Sequence, residues 1–134
     1  MIIGIGIDIV KIDRIAKLIN NFGNKFEKKI FTNNEINIGN QKSSLNTKIS
    51  YYAKRFAAKE ALSKAIGLGI GRGIDFVDIE IINNENGKPE IKLTPKSKQF
   101  LQKYLNQNNF KIDLSMTDEK DIAQSIVIIS GSDI

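Results

Sequence analysis

The chain has 134 residues, a net charge of +5, and neither cysteine nor histidine. That length suits one domain with a genuine hydrophobic core. The missing residue types exclude disulfides, thiol nucleophiles and any triad built on an imidazole, so acid–base or metal chemistry falls to carboxylates, lysine, tyrosine, hydroxyls and water.

No apolar run reaches the length of a membrane span and no leader-like segment precedes the first strand, which makes a cytoplasmic location the expectation. The positive charge suits a polyanionic partner such as nucleic acid, a phosphate-rich cofactor or an acidic protein. Isoleucine, asparagine and lysine dominate the composition, so lysine is the default surface residue and its number says little. Arginine is scarce, at Arg14, Arg55 and Arg72 only, and a planar, multi-donor guanidinium marks places worth inspecting.

MIIGIGIDIV predicts an opening strand. Alternation puts Ile3, Ile5, Ile7 and Ile9 on one face and Gly4, Gly6 and Asp8 on the other. Glycines inside a strand mark close approach of a backbone or a ligand. DRIAKLINNFG predicts a short amphipathic helix, NKFEKKIF a second, and Thr32 to Glu35 a capping box that opens a third. GNQKSSLNTK reads as a polar, mobile loop. The strongest helix runs from about Ser50 to Ile66, with Gly67 as its C-cap, followed by the irregular GLGIGRG. VDIEII and PEIKL form a hairpin with Asn86-Gly87 at its tip. Thr94-Pro95 starts a helix to about Leu105. FKIDLSM and AQSIVIIS are two last strands, joined by the acidic turn TDEKD. The order implies a single α+β domain over residues 1–134, with a mostly antiparallel sheet packed on one long helix and shorter ones.

In the long helix, Ala53, Ala57, Ala61 and Ala65 form a stripe of small residues that admits another backbone, and the glycine face of the first strand asks for the same. Packing the two together brings Asp8 towards Phe56, Glu60 and Lys64, a second stripe at i, i+4, i+8. A surface Glu60–Lys64 pair, with Asp8 exposed at the strand end, is one outcome. The other is two carboxylates meeting across a close-packed seam, where they repel unless protonated or bridged by a cation. Without histidine or cysteine that cation is hard and oxygen-loving: Mg²⁺, with Mn²⁺ or Ca²⁺ as lookalikes. GLGIGRG offers backbone N–H groups and Arg72 to an anion, but it lies at a helix C-terminus and lacks the Gly-Lys-Ser/Thr ending of a P-loop.

GIGID near the N-terminus, Arg14 just beyond, RFAAKEALSKA on a helix, GIG after it, and DIEI with NGKP in the next hairpin resemble the holo-acyl-carrier-protein synthases, the small 4′-phosphopantetheinyl transferases. The resemblance spans essentially the whole chain. It implies that Asp8 and Glu60 bind Mg²⁺, which holds the pyrophosphate of coenzyme A. It implies attack of a serine of apo acyl carrier protein on the β-phosphate, releasing adenosine 3′,5′-bisphosphate. Glu60 is then the candidate base, and Lys64 holds a phosphate oxygen and orients Glu60. Arg55 matches a position near the nucleotide phosphates, and Gly67, Gly69, Gly71, Ser115 and Thr117 fall in coenzyme-A-binding segments. Arg14, Leu18, Lys25, Phe26 and Phe56 form the expected surface for an acidic carrier. Homotrimers with active sites between subunits are implied as well. No nucleic acid or membrane partner is expected.

The C-terminal hairpin departs from the family pattern Ser-x-Ser-His-Thr. Met116 takes the histidine's place, and Asp113 stands where a small hydroxyl residue is common. Three rival readings remain at this level: a Mg²⁺-dependent phosphodiesterase or nuclease, a basic nucleic-acid-binding module, and a homologue that has lost catalysis.

Overall fold

The structure is a computed structural model, and it describes residues 1–131. The opening strand β1 spans Ile2–Lys11 and runs into three short helices, α1 (Ile12–Phe22), α2 (Asn24–Ile30) and α3 (Asn33–Asn40). The long helix α4 covers Leu45–Ile66. A single 3-10 turn at Phe76–Asp78 leads to the hairpin β2 (Ile79–Asn83) and β3 (Pro89–Leu93), then α5 (Pro95–Tyr104), and finally β4 (Phe110–Glu119) and β5 (Ile122–Gly131). The strands form an antiparallel three-stranded sheet in the order β1-β5-β4 and a separate two-stranded sheet β2-β3. This is the expected α+β architecture.

Helix α4 is the spine of the molecule. It is buried on nearly every side, as a helix clasped between two layers must be. Its first half packs with Val10, Ile15, Phe26 and Phe31 in one core, and its second half packs with Ile79, Leu101, Val127 and Ile129 in another. The glycines of β1 explain how strand and helix come so close. A Cβ on Gly4 would fall on the carbonyl oxygen of Ala65, and one on Gly6 on that of Ala61. Ser125 on β5 adds a tie, its hydroxyl donating to the Lys54 carbonyl of α4 at 3.1 Å.

Several boundaries differ from expectation. The loop before α4 shrinks to residues 41–44, because Ser44 caps the helix by accepting from the Thr47 N–H and so starts it at Leu45. Strands β4 and β5 pair as far as Glu119 and Ile122, so most of the supposed acidic turn is strand. At the β2–β3 tip only Gly87 takes positive φ among residues 84–88, and the Asn84 side chain closes the turn by accepting from the N–H groups of Asn86 and Lys88. The capping box at Thr32 and Glu35, the left-handed C-cap at Gly67 and Pro95 in the first turn of α5 all form as read.

Candidate active site

Because Gly4 and Gly6 are stripped to backbone, β1 lies against α4 and delivers Asp8 to the helix face that carries Glu60 and Lys64. The Lys64 ammonium crosses the seam and donates to Asp8 Oδ1 and to the Ile7 carbonyl, both at 3.0 Å. Lysine therefore bonds the strand carboxylate; the expected orienting contact on Glu60 is absent. The reason is geometric: the strand backbone has come within reach of the lysine's stem, and two oxygens there compete with the single carboxylate one turn back.

Glu60 is half-buried. Burial pushes its carboxyl above the usual range, the Asp8 charge pushes it further, and Lys64 and Arg14 pull it back. Those causes place Asp8, Glu60, Lys64 and Arg14 in one electrostatic group. Arg14 lies over the Phe56 ring at 5.5 Å from the centroid, and Phe56 stacks on Phe76 at 5.8 Å. The ring thus holds the guanidinium on the Glu60 side of α4.

The remaining expected site residues lie elsewhere. Gly67, Gly69 and Gly71 are exposed in the loop after α4, and there is open space where a Cβ would sit on each. Ser115 and Thr117 are exposed on the sheet face away from α4, Ser115 opposite Ile126. Met116, between them, points the other way and packs on the second core. Arg55 is not with the carboxylates: it is buried, its guanidinium 3.7 Å from the Tyr51 ring centroid, one N–H reaching the Tyr51 carbonyl at 3.4 Å and Nε without a partner. Of the expected carrier-facing set, Arg14 and Lys25 are exposed and Leu18 half-buried, whereas Phe26 and Phe56 are core residues. The two rings fill the space between α4 and the short helices, so at most their edges meet a partner.

One pair was not foreseen. Lys59 and Glu35 are both fully buried and bonded at 2.7 Å. Lys59 spends its other donors on the carbonyls of Ile30 and Phe76, and Glu35 also accepts from the N–H groups of Thr32 and Ile81. The pair clamps α2, α3 and β2 onto α4 beside Glu60. The available signal was a lysine set among alanines, where an ordinary surface lysine has no open face.

Among the described residues no third acidic, histidine or cysteine side chain joins Asp8 and Glu60. The donor set is two carboxylates, which suits Mg²⁺ because that ion keeps several positions for water and substrate phosphate. Burial and the Asp8 charge disfavour the Glu60 anion, and the two carboxylates are a donor set that fits a hard divalent ion.

The 4′-phosphopantetheinyl transferase superfamily profile matches residues 4–123. The chain is 44% identical over 129 residues to the holo-[acyl-carrier-protein] synthase of Wolbachia pipientis subsp. Culex pipiens, spanning 96% of this chain and 98% of that one. It is 48% identical over 133 residues to the enzyme of the same name from Bartonella bacilliformis, spanning 98% and 97%. Among solved structures, the synthase from Neisseria meningitidis superposes with a TM-score of 0.87 at 38% identity, over 97% of this chain and 99% of that one. The Helicobacter pylori synthase in complex with coenzyme A gives 0.76 at 32%, over 94% and 99%. With its glycine-bared strand, its Asp8–Glu60 seam and a profile match over most of its length, the chain belongs to the 4′-phosphopantetheinyl transferase superfamily.

Proposed function

We propose that the chain transfers the 4′-phosphopantetheine group of coenzyme A to a serine of an apo acyl carrier protein, releasing adenosine 3′,5′-bisphosphate, in the service of fatty acid biosynthesis. The observation that carries this reading is the meeting of Asp8, Glu60, Lys64 and Arg14 at the α4–β1 seam. Mg²⁺ held by Asp8 and Glu60, with Mn²⁺ as a substitute, supplies neutralisation of the pyrophosphate charge. Glu60 accepts the serine proton, a role that falls to a carboxylate in a chain without histidine. The serine oxygen then forms a bond to the β-phosphorus, and the bond from that phosphorus to the bridging oxygen breaks, leaving the nucleotide with its negative charge. Lys64 steadies a phosphate oxygen, and the exposed loop at Gly67, Gly69 and Gly71 gives the coenzyme a backbone to lie against. Arg55 is proposed to serve the nucleotide phosphates; its guanidinium is buried on the Tyr51 ring, so the coenzyme has to displace that cover to reach it. Arg14 and Lys25 offer positive charge to an acidic carrier.

The sheet face turned away from α4 supports self-association. Ile5, Ile7, Ile9, Ile122 and Ile126 are exposed there, with Ile7 opposite Ile126 and Ile5 opposite Ile128, an apolar row across two neighbouring strands of the kind that marks an interaction surface. We assign it to the contact between copies in a homotrimer, with Ser115 and Thr117 at its margin. No helix among the described residues is long and apolar enough to cross a membrane, and the reaction is assigned to the cytoplasm.

One incubation tests the function. The protein, coenzyme A, Mg²⁺ and an apo carrier are combined, and the carrier's intact mass is read. A gain of one phosphopantetheine group, lost on chelation of the metal, is the expected result; an unmodified carrier under all conditions contradicts the assignment.

A further inference from the structure

The seam carries two side-chain anions, Asp8 and Glu60, and two side-chain cations, Lys64 and Arg14, and Glu60 feels the charge of the other three. Their formal charges cancel. A divalent ion entering this group unaccompanied brings an excess of positive charge, and it meets an ammonium already bonded to one of its ligands. That ammonium is held by Asp8 Oδ1 and by the Ile7 carbonyl at 3.0 Å each, on a side chain 55% exposed, while the Asp8 side chain is only 16% exposed. The anchor is therefore in the seam and the stem is in water, so the ammonium can leave without dragging a buried group behind it. On an isolated helix Lys64 would turn to Glu60 at i−4; the glycines of β1 bring the strand near enough to capture it instead.

We propose that Lys64 is a tethered placeholder for the metal: it competes with the divalent ion for Asp8, and coenzyme A admits the ion by offering the ammonium a phosphate in exchange. The proposal rests on the reading of Asp8 and Glu60 as the metal ligands. It makes metal and coenzyme bind as a cooperative pair, each raising the affinity of the other by the same factor, since binding couplings are reciprocal. A carboxylate pair without the placeholder would take up metal whether or not the coenzyme was there. With it, the free enzyme keeps its two carboxylates compensated and its site closed to adventitious cations.

The test is a titration of Mn²⁺ alone into the full chain, free ion being read by electron paramagnetic resonance, with and without coenzyme A and with no carrier present. Wild type, Lys64→Met, Lys64→Arg and Asp8→Asn are compared after thermal melts establish that each is folded. Without coenzyme A, Lys64→Met should bind Mn²⁺ about tenfold more tightly than wild type, because a unit charge a few ångströms from the ion is removed. Lys64→Arg should stay weak like wild type. Coenzyme A should tighten Mn²⁺ binding strongly in wild type and much less in Lys64→Met, and Asp8→Asn should lose binding throughout. Equal or weaker Mn²⁺ binding by Lys64→Met, with Asp8→Asn still defective, would overturn the placeholder while leaving the metal site standing. Undiminished binding by Asp8→Asn would overturn the metal site itself.

Discussion

Lys59 and Lys64 lie five residues apart on one helix, and each is bonded to a carboxylate brought from another element. Lys59 and Glu35 are both 0% exposed. All of the lysine's donors are spent, on Glu35 and on the carbonyls of Ile30 and Phe76. Lys64 is more than half exposed and shares its ammonium between Asp8 and one carbonyl. The first pair is a clamp, because nothing from solution can reach it and no partner can be released without leaving a buried charge. The second is exchangeable, because water and ligand oxygens can replace either partner. The comparison teaches that a lysine–carboxylate contact is read by what surrounds it. A few residues along one helix separate the bond that holds the fold from the bond that function has to break.

The difference is largest in stability. Lys59→Met should cost roughly 3–5 kcal/mol, since it strands a buried carboxylate at Glu35. Lys64→Met should cost no more than about 1 kcal/mol, as expected of an exposed pair. Chemical denaturation of both variants checks this; equal losses would erase the distinction. Next in size is the seam that brings Lys64 to Asp8. Gly6→Ala sets a Cβ against the Ala61 carbonyl oxygen, so strand and helix must part, at a cost of about 1–3 kcal/mol. Gly69→Ala, where a Cβ meets nothing, should leave the melting temperature alone. Gly6→Ala should also weaken transfer, because it moves Asp8 relative to Glu60.

The smallest effect concerns Glu60. Its folded-state proton affinity is raised by burial and by Asp8. The folded state therefore holds this proton to higher pH than the unfolded chain does, and stability falls as pH rises from the ordinary glutamate range through the raised value. Glu60→Gln should then raise the melting temperature of the metal-free protein at neutral pH, and the gain should vanish below the usual glutamate range. A gain that persists in acid would point to packing instead of charge.

Most of this was legible in the sequence where the signal is local. Alternation from Gly4 onwards, the Thr32–Glu35 box, Gly67 and Pro95 each act through neighbours in the chain and formed as read. Ile3 did not join the face of Ile5, Ile7 and Ile9, because the register shifts between Ile2 and Gly4 and Ile3 packs on the second core. The pairing of bare strand and alanine stripe was legible too, because steric emptiness on two segments has few other uses. What escaped depends on partners far apart in sequence. Glu35 reads as a helix cap, and nothing near it announces Lys59. Lys64 reads as a partner of Glu60 until the strand arrives. Phe26 and Phe56 read as contacts for a carrier and Arg55 as a contact for nucleotide phosphates, whereas all three are buried. The early start of α4 turned on Ser44, one capping hydroxyl in a run of polar residues.

The claim on which all of this depends is that Asp8 and Glu60 together form the working site. The direct measurement is the rate of phosphopantetheine transfer to an apo carrier, followed by intact mass, for Asp8→Asn and Glu60→Gln beside wild type at saturating coenzyme A and Mg²⁺. Both variants are expected to fold, with melting temperatures at or above wild type for Glu60→Gln, and both should lose transfer by about a hundredfold or more, the scale of a lost general base or electrostatic stabiliser. Transfer at near wild-type rate by either folded variant would contradict the assignment of the site.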